Sequence, residues 1–195
     1  MNEQEAWWSG SFGDSYTDRN RVNWLQRVPF WTGILYLTGA GSVLEMGCNV
    51  GWNLLAIRLI NPRTWVAGWD VNHKAVMQGK NMGLQLFGAY EFESYRKAHN
   101  PNYDLVFTAG CLIHVSSKEI EKAMQYIVDS SKKYILAIEY AADEEQEIEY
   151  RGHQNKLWKR PYGKMYEDMG LKLIEAGELP KDSGFDDCTY WLLEK

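Results

Sequence analysis

The fold is decided by residues 44–51, which have the sequence LEMGCNVG. This segment begins inside a short apolar run over residues 42–46, which is typical of a buried strand. Gly47 and Gly51 follow the strand and permit backbone conformations and a close ligand approach that a side chain would obstruct. Ligands of open α/β sheets bind at this carboxyl edge. The segment therefore predicts a strand, a ligand-binding turn and a helix over residues 53–59.

Short apolar runs alternate with helical stretches along the rest of the chain. Further strands are predicted over residues 64–70, 89–93, 103–108, 134–139, 171–176 and 189–193. Helices are predicted from residue 72 to 83, from a capping box at residues 116–119 to about residue 129, and near residues 162–169. This order predicts an α/β fold in which a mostly parallel sheet ends in an antiparallel C-terminal hairpin. The aromatic-rich residues 1–40 are predicted to form an N-terminal helical extension.

Composition limits the classes of function. The 195 residues include 21 basic and 26 acidic side chains, which gives a net charge of −5 and makes nucleic acid an improbable partner. No apolar run approaches the about 20 residues that span a bilayer, and three cysteines are too few for a disulfide framework or a zinc site. We therefore expect a soluble, cytoplasmic protein with a small-molecule partner, no membrane contact and no metal. A single domain is predicted over residues 1–195, with residues 41–195 forming the sheet core.

An acidic residue at the end of the second predicted strand sharpens the ligand prediction. Asp70 follows Gly47 by 23 residues, close to the spacing at which nucleotide-binding sheets bind ribose hydroxyls. Asn49 breaks the dinucleotide pattern G-x-G-x-x-G, and Glu45 can accept hydrogen bonds from loop amides or, through water, from a ligand ammonium group. A tight strand-to-helix turn alone also explains two glycines four residues apart. Together with Asp70, however, the turn favours an adenosine-containing ligand that has an ammonium group and no pyrophosphate.

The pattern from Glu45 to Gly51, followed by Asp70, resembles the cofactor site of class I S-adenosylmethionine-dependent methyltransferases. Residues 8–20, 107–114 and 149–160 are similar to segments of the methylases associated with pseudaminic acid biosynthesis, so that the resemblance covers nearly the whole chain. It implies a Rossmann-like class I methyltransferase fold with seven strands and S-adenosyl-L-methionine as the cofactor. It also implies in-line methyl transfer to a small anionic acceptor, such as a sugar acid, a nucleotide-linked sugar or an amino-acid-like molecule.

The resemblance implies a set of cofactor-binding residues. These are Tyr16, Arg19, Glu45, Gly47, Asn49, Gly51, Asp70, Ser94 and Gly110. Tyr16 is expected over the sulfonium methyl group within an N-terminal lid, and Arg19 at the methionine carboxylate, although a solvated helix-face arginine is an open alternative. The stretch from residue 92 to 101 lacks the acidic pattern that usually marks the adenine pocket, so Ser94 and Tyr95 are the candidates there.

Catalytic and acceptor-binding residues are expected beyond the fourth strand and in the late basic segment. His114 is the first candidate for a general base and His153 the second, although a hydrogen bond to the next helix start would equally explain His114. The predicted acceptor-binding residues are Tyr140, Arg151, His153 and Lys159. The alternative for the basic segment, which also contains Arg160, is ion pairing with the acidic run at residues 143–149, predicted to be a solvated loop.

Two other classes of function remain open at this point. A non-catalytic protein that binds S-adenosylmethionine or S-adenosylhomocysteine as a regulator or scaffold would keep the same pocket. A dinucleotide-dependent oxidoreductase or nucleotide-sugar enzyme would also use the carboxyl edge of the sheet, but Asn49 disfavours it.

Overall fold

The computed structural model describes residues 1–99 and 102–195. Within these residues nine strands lie along the chain: β1 (Ser42–Met46), β2 (Trp65–Trp69), β3 (Gln85–Phe87), β4 (Tyr103–Ala109), β5 (Ser131–Glu139), β6 (Gln146–Tyr150), β7 (His153–Lys159), β8 (Lys172–Leu179) and β9 (Cys188–Glu194). Seven of them form one sheet in the order β3-β2-β1-β4-β5-β9-β8. The first five of that order are parallel, whereas β9 runs antiparallel to both of its neighbours. The predicted α/β fold, with its seven-stranded sheet and antiparallel C-terminal pair, is thus confirmed.

Helices cover both faces of this sheet. They are α1 (Glu3–Ser9), α2 (Ser11–Arg19), α3 (Val28–Thr38), α4 (Trp52–Ile60), α5 (His73–Asn81), α6 (Ala89–His99), α7 (Ile120–Ser130) and α8 (Tyr162–Asp168). A hydrophobic core lies on each face of the sheet, and successive residues of β4 point into different cores. Leu105 and Phe107 belong to the core beneath α3 and α4, and Val106 belongs to the core beneath α7 and α8. This alternation is the period of two that a strand imposes on its side chains. No helix in the described ranges is both long and apolar enough to cross a membrane.

The prediction of a strand over residues 89–93 is wrong, because these residues begin α6. The third strand lies just before them, over Gln85–Phe87. The alternation of apolar and polar residues suggested a strand, but only Phe92 is buried while Tyr90 is 86% exposed. Glu91 instead accepts the N–H of Gly88 at 3.0 Å and supports a helix start.

Two further expectations are corrected. The proposed capping box at residues 116–119 does not form, since the N–H of Glu119 bonds the carbonyl of Ser116 and α7 begins only at Ile120 without a side-chain cap. The acidic run at residues 143–149 is not simply a loop, because its second half lies in β6 and pairs with β7. A two-residue turn of Arg151 and Gly152, both with positive φ, closes this hairpin.

Candidate functional site

The carboxyl ends of β1, β2, β4 and β5 open into a cavity of about 1030 Å³. Pockets for a single small ligand usually hold about 300–1,000 Å³, so this cavity has room for two small molecules together. Its wall includes Glu45, Asp70, Gly110, His114 and Tyr140. In the described part of the chain, no three His, Cys, Asp or Glu side chains are arranged to hold a metal ion.

The turn after β1 requires its glycines. Gly47 and Gly51 have φ angles of 71° and 88°, in the left-handed region that disfavours a side chain. A Cβ on Gly47 would overlap the sulfur of Cys111, and one on Gly51 would lie 2.6 Å from Leu84. The turn can therefore bring its backbone close to a ligand in the cavity.

Asp70 fixes the far side of this turn. One carboxylate oxygen accepts the N–H of Asn49 at 2.6 Å, and the other accepts the N–H of Asn72 at 2.7 Å. Burial raises the pKa of Asp70, while these two backbone hydrogen bonds oppose the rise. Each oxygen keeps a second lone pair with which it can accept a hydroxyl from a ligand.

Glu45 is the least satisfied charged group in the cavity wall. Its side chain is 2% exposed, and one oxygen accepts the Nδ2–H of Asn53 at 2.6 Å. The other oxygen is buried and has no hydrogen-bond partner among the described residues. Burial raises the pKa of Glu45 to about 8. A buried carboxylate in this state lacks the hydrogen bond or cation that would offset its desolvation.

Arg27 is linked to Glu45 through Asn53. Its Nη1 donates to Asn53 Oδ1 at 2.9 Å, and its Nε donates to the carbonyl of Gly184 at 2.9 Å. The guanidinium carbon lies 4.6 Å from the centre of the Phe185 ring, and burial lowers the pKa of Arg27. The two bonds occupy two of its five N–H groups, which leaves donors available to a ligand in the cavity.

Arg27 lines the cavity, whereas the predicted Arg19 does not. Arg19 is exposed and outside the cavity wall, with its guanidinium 5.0 Å from the Phe12 ring and 5.3 Å from the Tyr16 ring. Its position therefore does not support a contact with a bound carboxylate. No local sequence signal distinguishes Arg27, because Gly184, which holds it, lies 157 residues away.

Three other predicted residues also lie outside the cavity wall. Ser94 is exposed on α6, and His153 is exposed on β7 beside Trp7. Lys159 is half-buried near a separate shallow depression. Their positions do not support the predicted adenine, base and acceptor contacts. The prediction for residues 92–101 falls partly outside the described residues, which omit 100 and 101.

Apart from Gly51, the remaining predicted residues line the cavity. Gly110 lies at the end of β4 with a φ of 62°, and Tyr16 projects from α2. Tyr140 follows β5 directly, and Arg151 lies at the tip of the hairpin formed by β6 and β7. Chain segments that are distant in sequence therefore meet around one space.

His114 is held in a single protonation state. Its Nδ1 lies 2.6 Å from the carbonyl oxygen of Lys156, so Nδ1 carries the proton and donates it. Burial lowers the pKa of His114 to about 4, and the rings of Trp8 and Tyr150 lie 4.6 and 5.0 Å away. Near neutral pH, His114 therefore offers Nε2 as a hydrogen-bond acceptor but is a weak base.

The loop that carries His114 is organised by Glu139, which the sequence did not single out. This fully buried carboxylate accepts the N–H groups of Cys111, Leu112 and Ile113 at 3.1–3.2 Å. Burial raises the pKa of Glu139 to about 7, against the opposing effect of these hydrogen bonds. Glu139 ends β5, so the adjacent strand fixes the loop after β4.

Replacing Glu139 by alanine should therefore lower the free energy of unfolding by about 3–4 kcal/mol, because three buried N–H groups lose their partner. Urea denaturation would measure the change. Glu149→Ala is the matched control, since Glu149 is exposed and accepts one hydrogen bond, from Gln154. Equal stability of the two variants would contradict the structural role of Glu139.

The N-terminal helices dock on the same edge of the sheet through specific contacts. Asn72 donates to the carbonyl of Trp8 at 3.1 Å, and Asn49 donates to the hydroxyl of Thr17 at 3.1 Å. A Cβ on Gly13 would overlap that same Trp8 carbonyl, so α2 packs closely against α1. Asn49, in the turn after β1, and Asn72, just after β2, thus connect the predicted cofactor site to the N-terminal helices.

The residues of the basic segment have different surroundings: two form buried ion pairs, and one lines the cavity. Arg160 is fully buried, pairs with Glu145 at 2.5 Å and donates to the carbonyl of Leu112 at 3.2 Å. Lys156 is also buried and pairs with Glu3 at 2.6 Å. Ion pairing therefore accounts for these two cations. Arg151 is the exposed cation of this segment that lines the cavity.

Solved structures of known proteins are similar to this chain in fold, at low sequence identity. No protein-family profile matches the sequence, and no curated protein matches it. The magnesium protoporphyrin IX methyltransferase of Synechocystis PCC 6803, solved with bound S-adenosylmethionine, has a TM-score of 0.69 at 13% identity, over 100% of this chain and 98% of that chain. The 1,6-didemethyltoxoflavin-N1-methyltransferase of Burkholderia thailandensis, solved with its namesake substrate and S-adenosylhomocysteine, has a TM-score of 0.67 at 12% identity, over 97% and 84%. The chain therefore has the Rossmann-like fold of class I S-adenosylmethionine-dependent methyltransferases.

Proposed function

We propose that the protein is an S-adenosylmethionine-dependent methyltransferase that acts on a small acceptor. The observation that carries the proposal is the unpartnered buried oxygen of Glu45, placed one strand away from Asp70 beside a glycine turn. S-adenosylmethionine carries an ammonium group, which would supply the missing partner of Glu45, and a ribose, whose hydroxyls could donate to the remaining lone pairs of Asp70. The solved structures of similar fold hold S-adenosylmethionine or S-adenosylhomocysteine, which supports the same ligand here.

The cavity wall fits the chemical groups of this cofactor. Glu45 would bind the ammonium group, Arg27 the methionine carboxylate and Asp70 the ribose hydroxyls. The backbone of Gly47, Asn49 and Gly110, which line the cavity, would approach it closely. The ring of Tyr16 suits the neighbourhood of a sulfonium. When bound, the cofactor supplies a methyl group on a positively charged sulfur.

The acceptor is proposed to be small and anionic, such as a sugar acid, a nucleotide-linked sugar or an amino-acid-like molecule. Arg151 supports this because it is an exposed cation that lines the cavity. The resemblance to methylases of pseudaminic acid biosynthesis supports a sugar acid. His114 would orient the acceptor through Nε2, and Tyr140 would contact it.

Catalysis by this chain would consist mainly of positioning. Holding the acceptor atom at a reactive distance can supply several kcal/mol of the barrier. The rings of Trp8 and Tyr150 line the cavity and would exclude water from the bound acceptor. We propose that residues 1–40 act as a lid on a single domain of residues 1–195. Gly10, which ends α1 and begins α2, would be its hinge, because α1 itself contains no buried residue.

Titration calorimetry with S-adenosylhomocysteine and with NAD tests the proposal. We expect S-adenosylhomocysteine to bind and NAD not to bind, because Asn49 and Trp52 stand where a dinucleotide site has its second and third glycines. NAD binding without S-adenosylhomocysteine binding would indicate a dinucleotide enzyme. Binding of S-adenosylhomocysteine without methyl transfer to any cellular small molecule would indicate a regulatory binding protein.

A further inference from the structure

A phenol and a carboxylate meet on the side of the cavity formed by β5 and the loop before β9. The hydroxyl of Tyr140 donates to Asp186 Oδ2 at 2.6 Å, and both residues line the cavity. Tyr140 is half-buried and packs against both hydrophobic cores, which fixes its ring. Burial and, next, the bond to Asp186 raise the pKa of Tyr140, so the phenol remains protonated when it donates.

This pair can release a proton to solvent, whereas His114 cannot do so easily. The side chain of Asp186 is 72% exposed, so a proton that it gains can pass directly to water. A proton gained by His114 at Nε2 would form an imidazolium among rings, with Nδ1 already bound to the Lys156 carbonyl. The positions of the two groups therefore suit different tasks: His114 accepts and orients, and the pair takes up the proton.

We propose that Tyr140 and Asp186 form the proton-accepting pair for methyl transfer to a hydroxyl group of the acceptor, an assignment that rests on the methyltransferase function proposed above. The acceptor O–H bond breaks as its proton moves to the Tyr140 oxygen, and the phenolic proton of Tyr140 moves to Asp186 Oδ2. The acceptor oxygen forms its new bond to the methyl carbon, and the electron pair of the broken S–C bond stays on sulfur. The positive sulfonium and the negative carboxylate are thereby both neutralised, and Asp186 then returns the proton to water.

The groups around the pair are few and identifiable. The Nζ of Lys181 lies 3.9 Å from Asp186 Oδ1. The Cys188 thiol and the Tyr150 phenol also face Tyr140 and contribute to the rise in its pKa.

The chain supplies a matched control pair. Tyr190 donates to Glu175 at 2.8 Å, which is the same phenol–carboxylate chemistry outside the cavity wall. Tyr140→Phe removes the relay hydroxyl, and Asp186→Asn keeps a hydrogen-bond acceptor but not the base. Tyr190→Phe should behave as the wild type.

The experiment measures methyl transfer from methyl-labelled S-adenosylmethionine to a low-molecular-mass extract of cells that make the protein. Tyr140→Phe and Asp186→Asn should each lower the rate by about a hundredfold, the lower end of a general-base effect, with unchanged affinity for S-adenosylhomocysteine. The acid limb of the pH–rate profile should disappear in Asp186→Asn and persist in His114→Gln. In protein with carbon-13 tyrosine, the Cζ signal of Tyr140 should shift at acidic pH, and Asp186→Asn should abolish the shift.

Asp186→Asn with the wild-type rate and an intact acid limb would overturn the assignment. If the acid limb of the pH–rate profile disappeared in His114→Gln and in no other variant, the assignment would be wrong and His114 would be the base. Failure of the wild type to transfer the label, despite binding S-adenosylhomocysteine, would instead contradict the proposed methyltransferase function, so the two failures are distinguishable.

Discussion

Replacing Asp70 by alanine should weaken the binding of S-adenosylhomocysteine about a thousandfold. Hydrogen bonds to a charged group are each worth about 1.5–3 kcal/mol, and we propose that the carboxylate of Asp70 accepts both ribose hydroxyls in addition to its two backbone N–H groups. A loss of about 4 kcal/mol corresponds to that factor. Titration calorimetry would measure the dissociation constant. Asp70→Asn should fall between the alanine variant and the wild type, because its amide oxygen still accepts one hydrogen bond.

Asp104 provides the control for effects on the backbone. It lies at the opposite, amino-terminal edge of the sheet and, like Asp70, accepts two backbone N–H groups, those of Gly41 and Ser42. Asp104→Ala should lower stability in urea without changing the affinity for S-adenosylhomocysteine. A folded Asp70→Ala variant that binds within about tenfold of the wild type would contradict the ribose assignment.

The turn after β1 was predictable because its information is local. A short apolar strand, two glycines and an acidic residue 23 positions after the first glycine determine a ligand-binding edge from the chain alone. Glu45 and Asp70 could be placed for the same reason, since β1 and β2 pair in parallel, with Met46 opposite Trp69 and both ends at one edge.

The contacts that complete the site are not local. Arg27 is held at the cavity by Asn53 and Gly184, which lie 26 and 157 residues away. The prediction of Arg19 rested on the family resemblance and on the match between a guanidinium and a carboxylate, and neither indicates these distant contacts. His114 depends on the carbonyl of Lys156, which belongs to a hairpin that was predicted to begin as a loop. Hydrogen bonds between distant segments leave no periodicity in a sequence, and the fold must be known before they can be identified.

The misplaced strand has a similar origin. Residues 89–93 alternate between apolar and polar, yet burial of Phe92 alone satisfies a helix as well as a strand. In a segment this short, the spacing of apolar residues does not distinguish a helix from a strand. The neighbouring run Gln85–Phe87 has only three residues, and pairing with β2 makes it a strand.

The affinity for S-adenosylhomocysteine should rise about fiftyfold between pH 6 and pH 8, because Glu45 must lose a proton before it can bind the ammonium group. In the free protein burial raises the pKa of Glu45 to about 8, so most of the population is protonated at pH 7. Binding then releases about one proton at pH 7. The free-energy cost of deprotonating Glu45 falls as the pH approaches 8. The sign is fixed: protonation favours the free protein, so acid weakens binding.

Calorimetry at pH 7 in two buffers of different ionisation enthalpy would count the released proton. Titrations from pH 6 to 8 would give the slope of the affinity for S-adenosylhomocysteine against pH. Glu45→Gln should bind more weakly at pH 8 and show neither the slope nor the proton release. Glu139→Gln is the control, because this second buried carboxylate faces three loop amides and should leave the slope intact. A flat profile in the wild type would mean that the unpartnered oxygen of Glu45 does not receive the ammonium group, and the orientation proposed for the cofactor would be wrong.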